Sequence, residues 1–353
     1  MNLKIDFFGC DETYKKDVIV FCSDFESKKN RFVFKTSGST GVPQNIEVEY
    51  NQLISSAKAT IDTLAIKSGK TALVCLNTGF TAGKMMLVRC MVADMHALVV
   101  PASAFPFDEI KNLFSGNIHF AAFVPYQIKM MISRNDFLDI MILKNIETII
   151  IGGEPLDSET EKLLFDINPN CYVTFGMTET LSHFALRKIG SKPNHYHLLN
   201  NTEIGVDERN CLKVRNETSL NQWVQSNDIV NLTENEKGVV DGFEWIGRID
   251  NVINSAGVKI NIEQMEMALL PILNEVGVKE YFVYKQPDSL FGETAVLYIK
   301  KQPLHIYSEA EILDVISKKA DNKYYKPKKV FFLDEFVYTS TNKINRGLTA
   351  SVY

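Results

Sequence analysis

Thr36-Ser37-Gly38-Ser39-Thr40-Gly41-Val42-Pro43 follows directly on Arg31-Phe32-Val33-Phe34, a β-branched and aromatic run that reads as a strand. Hydroxyl side chains interleaved with Gly38 and Gly41 supply O–H donors and unhindered backbone N–H groups, the parts a chain needs to wrap phosphate oxygens. The stretch is not a Walker A loop, which needs a Lys just after its second Gly. Alone, it reads equally well as a Ser/Gly surface turn, so its surroundings decide.

Outward from this loop, apolar runs alternate with helical stretches. Residues 50–64 and 84–95 read as helices; 71–77, 97–100, 121–124, 148–151 and 172–175 read as strands. Strands apolar on both faces, separated by amphipathic helices, predict an α/β fold with mostly parallel sheets covered by helices. Chemistry then belongs in the loops at the carboxyl ends of strands. After about residue 205 the texture changes to short strands (211–215, 223–224, 229–232, 243–246) of a more antiparallel region. A polar junction follows at Gly247-Arg248-Ile249-Asp250. Beyond it, helices at 262–270 and 308–319 and strands at 281–285, 295–300 and 329–333 predict a small C-terminal α+β domain. The expected division is residues 1–249 and 250–353.

The chain has 353 residues, 38 Lys+Arg against 43 Asp+Glu, and a formal charge of −5; 45% of residues are hydrophobic and 23% charged. These values exclude disorder, collagen and a disulfide miniprotein. They also argue against a nucleic-acid partner, which usually calls for a basic stripe. No apolar run approaches the ~20 residues of a membrane span, and the N-terminal MNLKIDFFGCDETYKK turns polar without a cleavage site, so the expectation is cytoplasmic. The six cysteines are scattered without a C-x-x-C pair and read as buried, reduced thiols. The oligomeric state stays open, a homo-oligomer included.

Further motifs follow the loop in a fixed order: Phe175-Gly176-Met177-Thr178-Glu179, Ser226-Asn227-Asp228, Gly247-Arg248-Ile249-Asp250 through Gly257 and Glu263, and Thr339-Ser340-Thr341-Asn342-Lys343-Ile344-Asn345-Arg346. This ordered set resembles the adenylate-forming superfamily of acyl-CoA synthetases, adenylation domains and luciferases. The resemblance implies a large N-terminal domain, a small mobile C-terminal domain, and a two-step reaction using ATP, Mg²⁺ and coenzyme A. It implies that Thr36, Ser37, Gly38, Ser39, Thr40 and Gly41 hold the β/γ-phosphates and that Thr178 contacts the α-phosphate. Glu179 would ligate Mg²⁺, an ion that prefers oxygen. Phe175 and Gly176 with Gly153 and Glu154 would flank adenine, Asp228 would accept from the ribose hydroxyls, and Arg248 would reach the ribose or phosphates. Lys343 would bridge the carboxylate and the α-phosphate. Asp250 would be the hinge, and the segment near Gly257 would enter for the thiol step. Singly, each has a structural reading: Glu179 a helix start, Phe175 core, Asp228 a turn cap, Lys343 a solvated lysine.

The short stretch before the loop, together with Ala82–Met86, Arg89, His183 and the run GRIDNVINS, is most similar to short o-succinylbenzoate–CoA ligases of menaquinone biosynthesis. That small-molecule acid carries a second carboxylate, whose recognition needs a cation or several donors. Phe80, Lys84, Arg89, Thr180 and His183 are the candidate pocket residues, Lys84 the leading cation. Three positions depart from the family: Gln44 replaces the loop lysine, Ser226-Asn227 replaces Thr-Gly, and Asn342 replaces Gly. The alternatives are a ligase for another aryl, fatty or amino acid, and an adenylate-binding protein without turnover, the latter motivated by Gln44.

Overall fold

The computed structural model describes residues 3–35, 45–191, 194–302, 307–338 and 344–352. The chain parts into two compact units. The first comprises Met1–Gly205, Lys213–Gln225 and Leu232–Glu244; the second comprises Val206–Leu212, Ser226–Asn231 and Trp245–Tyr353. Asp250 lies inside the second unit's long C-terminal stretch.

In the first unit β1 (Ile5–Phe7) leads to α1 (Glu12–Glu26), capped by Asp11. The strands β2 (Arg31–Lys35) and β3 (Asn45–Glu49) pair antiparallel as a separate ribbon. Alternating units follow: α2 (Tyr50–Thr63), β4 (Thr71–Val74), α3 (Thr81–Val92), β5 (His96–Val99), β6 (Phe120–Phe123), α4 (Pro125–Arg134), α5 (Phe137–Asn145), β7 (Thr148–Ile151), α6 (Ser158–Ile167) and β8 (Cys171–Gly176). The strands β1, β5, β4, β6, β7 and β8 lie side by side and all pair in parallel. Leu73, Leu98, Ala121 and Ile149 are buried on one face, and Ala72, Val74, Ala97, Phe120 and Ile150 on the other. This two-sided burial is what the unbroken apolar runs encode. Beyond β8 the sheet turns antiparallel through β9 (His183–Lys188) and β10 (Tyr196–Leu198). The strands β11 (Glu203–Val206), β12 (Cys211–Arg215), β13 (Val224–Glu234) and β14 (Val240–Arg248) follow in the chain and are divided between the two units.

In the second unit, the hairpin β15 (Val252–Ser255) and β16 (Val258–Asn261) precedes α7 (Ile262–Glu275). Next come β17 (Tyr281–Asp288), β18 (Gly292–Lys300), α8 (Glu309–Lys319), β19 (Lys329–Leu333) and α9 (Arg346–Ser351). Ile253, Met265, Leu269, Leu297, Ile312 and Val330 form its own core.

Several boundaries differ from the sequence pattern. The helix expected at 84–95 starts at Thr81 and stops at Val92, because Asp94 takes a left-handed conformation (φ 49°) that short polar side chains tolerate. The strands expected at 223–224 and 229–232 are one strand, since Ser226-Asn227-Asp228 continues the extended backbone instead of turning. The helix expected at 262–270 runs on through Pro271 to Glu275. All six cysteines are free thiols and five are buried. Burial pushes the thiols of Cys22, Cys90 and Cys171 up to about 12. Among the described residues no helix is long and apolar enough to cross a membrane.

Candidate active site

The chain passes from β4 to β5 on one side and then returns to β6 on the other, which makes the carboxyl ends of β4 and β6 the switch point where parallel sheets leave a crevice. The buried Gln127 organises that rim. Its Oε1 accepts from Val124 N (3.1 Å), and its Nε2 donates to Cys75 O (3.3 Å) and Ser103 O (2.9 Å), so one side chain ties the loops after β6, β4 and β5. Nothing in the sequence pattern marks Gln127; a polar residue opening a helix after Pro125 is the only trace. Gly83 lets α3 press on the β4 loop, since a Cβ there would stand 2.4 Å from Asn77 O. Gly152 brings the β7 loop onto β8, where a Cβ would meet Thr174 Oγ1 at 2.1 Å, and Gly153 takes φ 93°.

At the end of β8 the rings of Phe184, Tyr196 and Phe243 pack edge-on around Phe175, at 5.7, 5.3 and 5.0 Å between centroids. Phe175 is thus part of an aromatic cluster while staying half-exposed. Gly176 has no room for a side chain: a Cβ would lie 2.5 Å from His183 Cα and Ser182 O, where the β8–β9 register shifts. Thr178 and Glu179 are exposed on a 3-10 turn, Thr178–Thr180. Thr180 is buried, and its hydroxyl bonds Met177 O (3.0 Å) and Ser182 O (2.8 Å). It therefore shapes the turn. Next, Leu181 sits at φ 62°, ψ −44° with Ser182 N bonded to Thr180 O at 2.6 Å, a γ-turn of the rare, strained hand. Such backbone costs about 1–3 kcal/mol and concentrates at functional sites.

That turn delivers Ser182 and His183 to Arg89. Arg89 is 2% exposed. Its Nη2 donates to Ser182 Oγ (2.9 Å) and its Nε to Thr60 Oγ1 (3.3 Å), and no carboxylate among the described residues pairs with it. Burial pushes its guanidinium down to about 10. His183 stands 3.0 Å from Thr60 Oγ1 through Nε2; burial and the Arg89 charge hold it well below the usual histidine range, hence neutral at pH 7. His183 and the buried Ser56, whose hydroxyl has no partner among the described residues, line a cavity of about 260 Å³. Phe80 caps α3. Lys84 does not join this cluster: its Nζ donates to Val33 O (3.1 Å) and lies 4.9 Å from the Phe34 ring centre and 5.6 Å from that of Phe21.

In the second unit Asp228 Oδ1 accepts from the Trp245 indole (2.9 Å), and its Oδ2 is 4.0 Å from Arg248. Arg248 Nη2 reaches Asp250 at 2.8 Å, and Asn227 Nδ2 reaches the same carboxylate at 3.1 Å. Arg248 holds the Asp250 carboxyl below its ordinary range. Trp245 is a partner that sequence reasoning did not find. Gly257 (φ 83°) forms with Ala256 (φ 49°) the open tip of the β15–β16 hairpin. Thr36, Ser37, Gly38, Ser39, Thr40, Gly41, Gln44 and Lys343 lie outside the described residues. The residues flanking 339–343, Tyr338 and Ile344, pair in an antiparallel bridge.

The large sheet is mixed, parallel from β1 across to β8 and antiparallel beyond, rather than mostly parallel as expected, and motif-bearing loops lie along the carboxyl rim of its parallel part, where such folds bind ligands. The chain belongs to the AMP-binding enzyme family, whose model matches residues 23–217. It is 32% identical to an acyl-CoA synthetase (AMP-forming)/AMP-acid ligase II-like protein from Dyadobacter fermentans, covering 97% of this chain and 95% of that one at TM-score 0.63. It is 23% identical to the 2-succinylbenzoate–CoA ligase of Lactococcus lactis, over 92% of this chain and 71% of that protein. The o-succinylbenzoate CoA synthetase of Bacillus subtilis, solved with its acyl-adenylate intermediate, shares the fold at 20% identity and TM-score 0.70, over 89% of this chain and 68% of that one.

Proposed function

We propose that this protein is an AMP-forming acid–CoA ligase acting on o-succinylbenzoate, a step of menaquinone biosynthesis carried out in the cytoplasm. The observation that carries the acid is Arg89, a buried cation with no carboxylate partner among the described residues. Keeping such a charge in the interior costs several kcal/mol, and a ligand anion offsets that cost. A substrate with a second carboxylate supplies one. The names carried by the Lactococcus and Bacillus relatives support the same acid.

In the first step an oxygen of the succinyl carboxylate attacks the α-phosphorus of ATP, the bond to the bridging oxygen breaks, and pyrophosphate leaves. In the second, the thiolate of coenzyme A attacks the acyl carbon and AMP departs. Thr36, Ser37, Ser39 and Thr40 donate to the phosphates, Phe175 with the Gly153–Glu154 loop flanks adenine, and the Asp228 oxygen left by Trp245 accepts from ribose. Lys343 neutralises charge between carboxylate and phosphate, and Asp250 is the hinge between the steps. The exposed carboxylate of Glu179, on a turn at the sheet's carboxyl rim, suits Mg²⁺, which is commonly held by one or two carboxylates plus phosphates. When bound, the ion draws charge from the phosphate oxygens.

The test is pyrophosphate release with ATP, Mg²⁺ and CoA across o-succinylbenzoate, benzoate, a medium-chain fatty acid and mixed amino acids. Release with o-succinylbenzoate, accompanied by its CoA thioester, is expected. Release with a different acid discards the pathway, and silence with ATP still bound discards the enzyme in favour of a binding protein.

A further inference from the structure

The run His195-Tyr196-His197 leads into and occupies β10. Successive side chains on an extended strand point to opposite faces. Tyr196 packs edge-on against Phe175 and stacks on Phe243 at 5.4 Å between centroids, so both histidines point the other way, His197 fully exposed and His195 partly. Their Nε2 atoms stand 3.1 Å apart, while the ring centres are 4.5 Å apart and the planes cross at 77°. The two ring edges thus converge on one point. Two imidazoles bound to one ion at about 2.0–2.1 Å, with an angle of roughly 90–110° at the metal, have nitrogens about 2.9–3.4 Å apart. The observed separation falls inside that bite. The strand is also held on both sides, since His197 pairs with Leu186 of β9 and Gly242 of β14. The backbone that sets the spacing is therefore fixed before any ligand arrives.

We propose that His195 and His197 form a two-histidine chelate for a divalent transition-metal ion of the Zn²⁺, Ni²⁺ or Cu²⁺ class. Imidazole nitrogen suits these ions, whereas Mg²⁺ prefers oxygen, so the site is separate from the metal of the ligase reading and does not depend on that reading. In the free protein one Nε2–H donates to the other Nε2. On binding, that ring takes its proton at Nδ1 instead, and both neutral imidazoles then offer a lone pair to the ion. The charge of Asp241 reaches His197 and favours a cation there. Among the described residues no third histidine, cysteine or carboxylate completes a set of three, which leaves the remaining positions to water. Other imidazoles have different partners: His96 lies 2.9 Å from Asp6, and His119 Nδ1 accepts from Thr71 N at 3.1 Å.

The experiment titrates the whole chain, free of any affinity tag, with Ni²⁺, Zn²⁺ and Mg²⁺ by calorimetry, with the thiols kept reduced. One Ni²⁺ or Zn²⁺ per chain in the micromolar range is expected, with Mg²⁺ unable to displace it. His195→Gln and His197→Gln are each expected to weaken Ni²⁺ binding at least about tenfold, the low end of what removing even a ligand's supporting partner costs, while His96→Gln stays within about twofold of wild type. A second readout needs no variant: paramagnetic Ni²⁺, added below one equivalent, broadens the imidazole proton signals of His195 and His197 before those of His96 and His119. It decides the matter if a glutamine variant does not fold. No Ni²⁺ or Zn²⁺ bound overturns the proposal and leaves the pair a hydrogen bond alone. Binding that survives both glutamine substitutions, or that is lost with His96→Gln instead, overturns it as well.

Discussion

Replacing Arg89 by Met removes a buried charge and keeps most of the volume of an unbranched side chain. Arg89 falls from its ordinary 12.5 to about 10. That drop corresponds to about 3 kcal/mol, and the group is 2% exposed, so solvent screening does not reduce it. The sign follows from the direction: a base whose folded value is depressed destabilises the fold at every pH below about 10, where the unfolded chain holds the proton more readily. Against this gain stand the two hydrogen bonds to Thr60 and Ser182. Their hydroxyls keep other neighbours, since Thr60 donates to Ser56 O (3.2 Å) and lies by His183, and Ser182 Oγ stands 3.4 Å from His183 Nδ1. At about 1.5 kcal/mol each, the bonds cancel most of the gain. The ligand-free variant is therefore expected within about 1 kcal/mol of wild type, or more stable, in a denaturant melt.

Acid recognition moves the other way. Losing the charge-assisted contact to the second carboxylate costs about 3 kcal/mol, or about 100-fold in kcat/KM for the dicarboxylate, with ATP affinity unchanged. The assay pairs urea unfolding without ligand with pyrophosphate release under o-succinylbenzoate. A variant destabilised by 3 kcal/mol or more, turning over the dicarboxylate with an unchanged KM, would make Arg89 a structural core cation and refute the assignment.

Two further outcomes follow from the same neighbourhood. His183 is held well below its unfolded value near 6.5, so the unfolded chain binds its proton first as pH falls. Stability is expected to drop below pH 6.5 by up to about 1.4 kcal/mol per pH unit on this account, and His183→Gln should flatten the difference between melts at pH 7.5 and 5.5; parallel curves would remove His183 from the acid sensitivity. Gln127→Leu strips partners from Cys75 O, Ser103 O and Val124 N, and a loss of about 2–4 kcal/mol in the urea midpoint is expected. A loss under about 1 kcal/mol would mean the three loops hold each other without it.

What was legible in the sequence and what was not divide along a physical line. The parallel core was legible because a strand buried on both faces must be apolar throughout, as at Thr148–Ile151 and Phe120–Phe123. The turn after Phe175 was legible as a motif, and its glycine has a reason in the register shift that leaves no space at Gly176. Side-chain partnerships across distant segments leave no periodic trace. Arg89 and His183 lie 94 positions apart and meet only because α3 and β9 converge, while Lys84, on the same helix, turns to the β2 end instead. Position in the chain favoured Lys84 as the acid's cation, since it lies nearer the β4 loop. Our proposal reverses that ranking on one property that sequence does not carry. Lys84 already holds a carbonyl and faces two rings, whereas Arg89 is desolvated beside two hydroxyls and the neutral His183, with no carboxylate partner among the described residues. In an enzyme that must recognise an anion, the buried cation lacking an internal counter-charge is the better place to look for it.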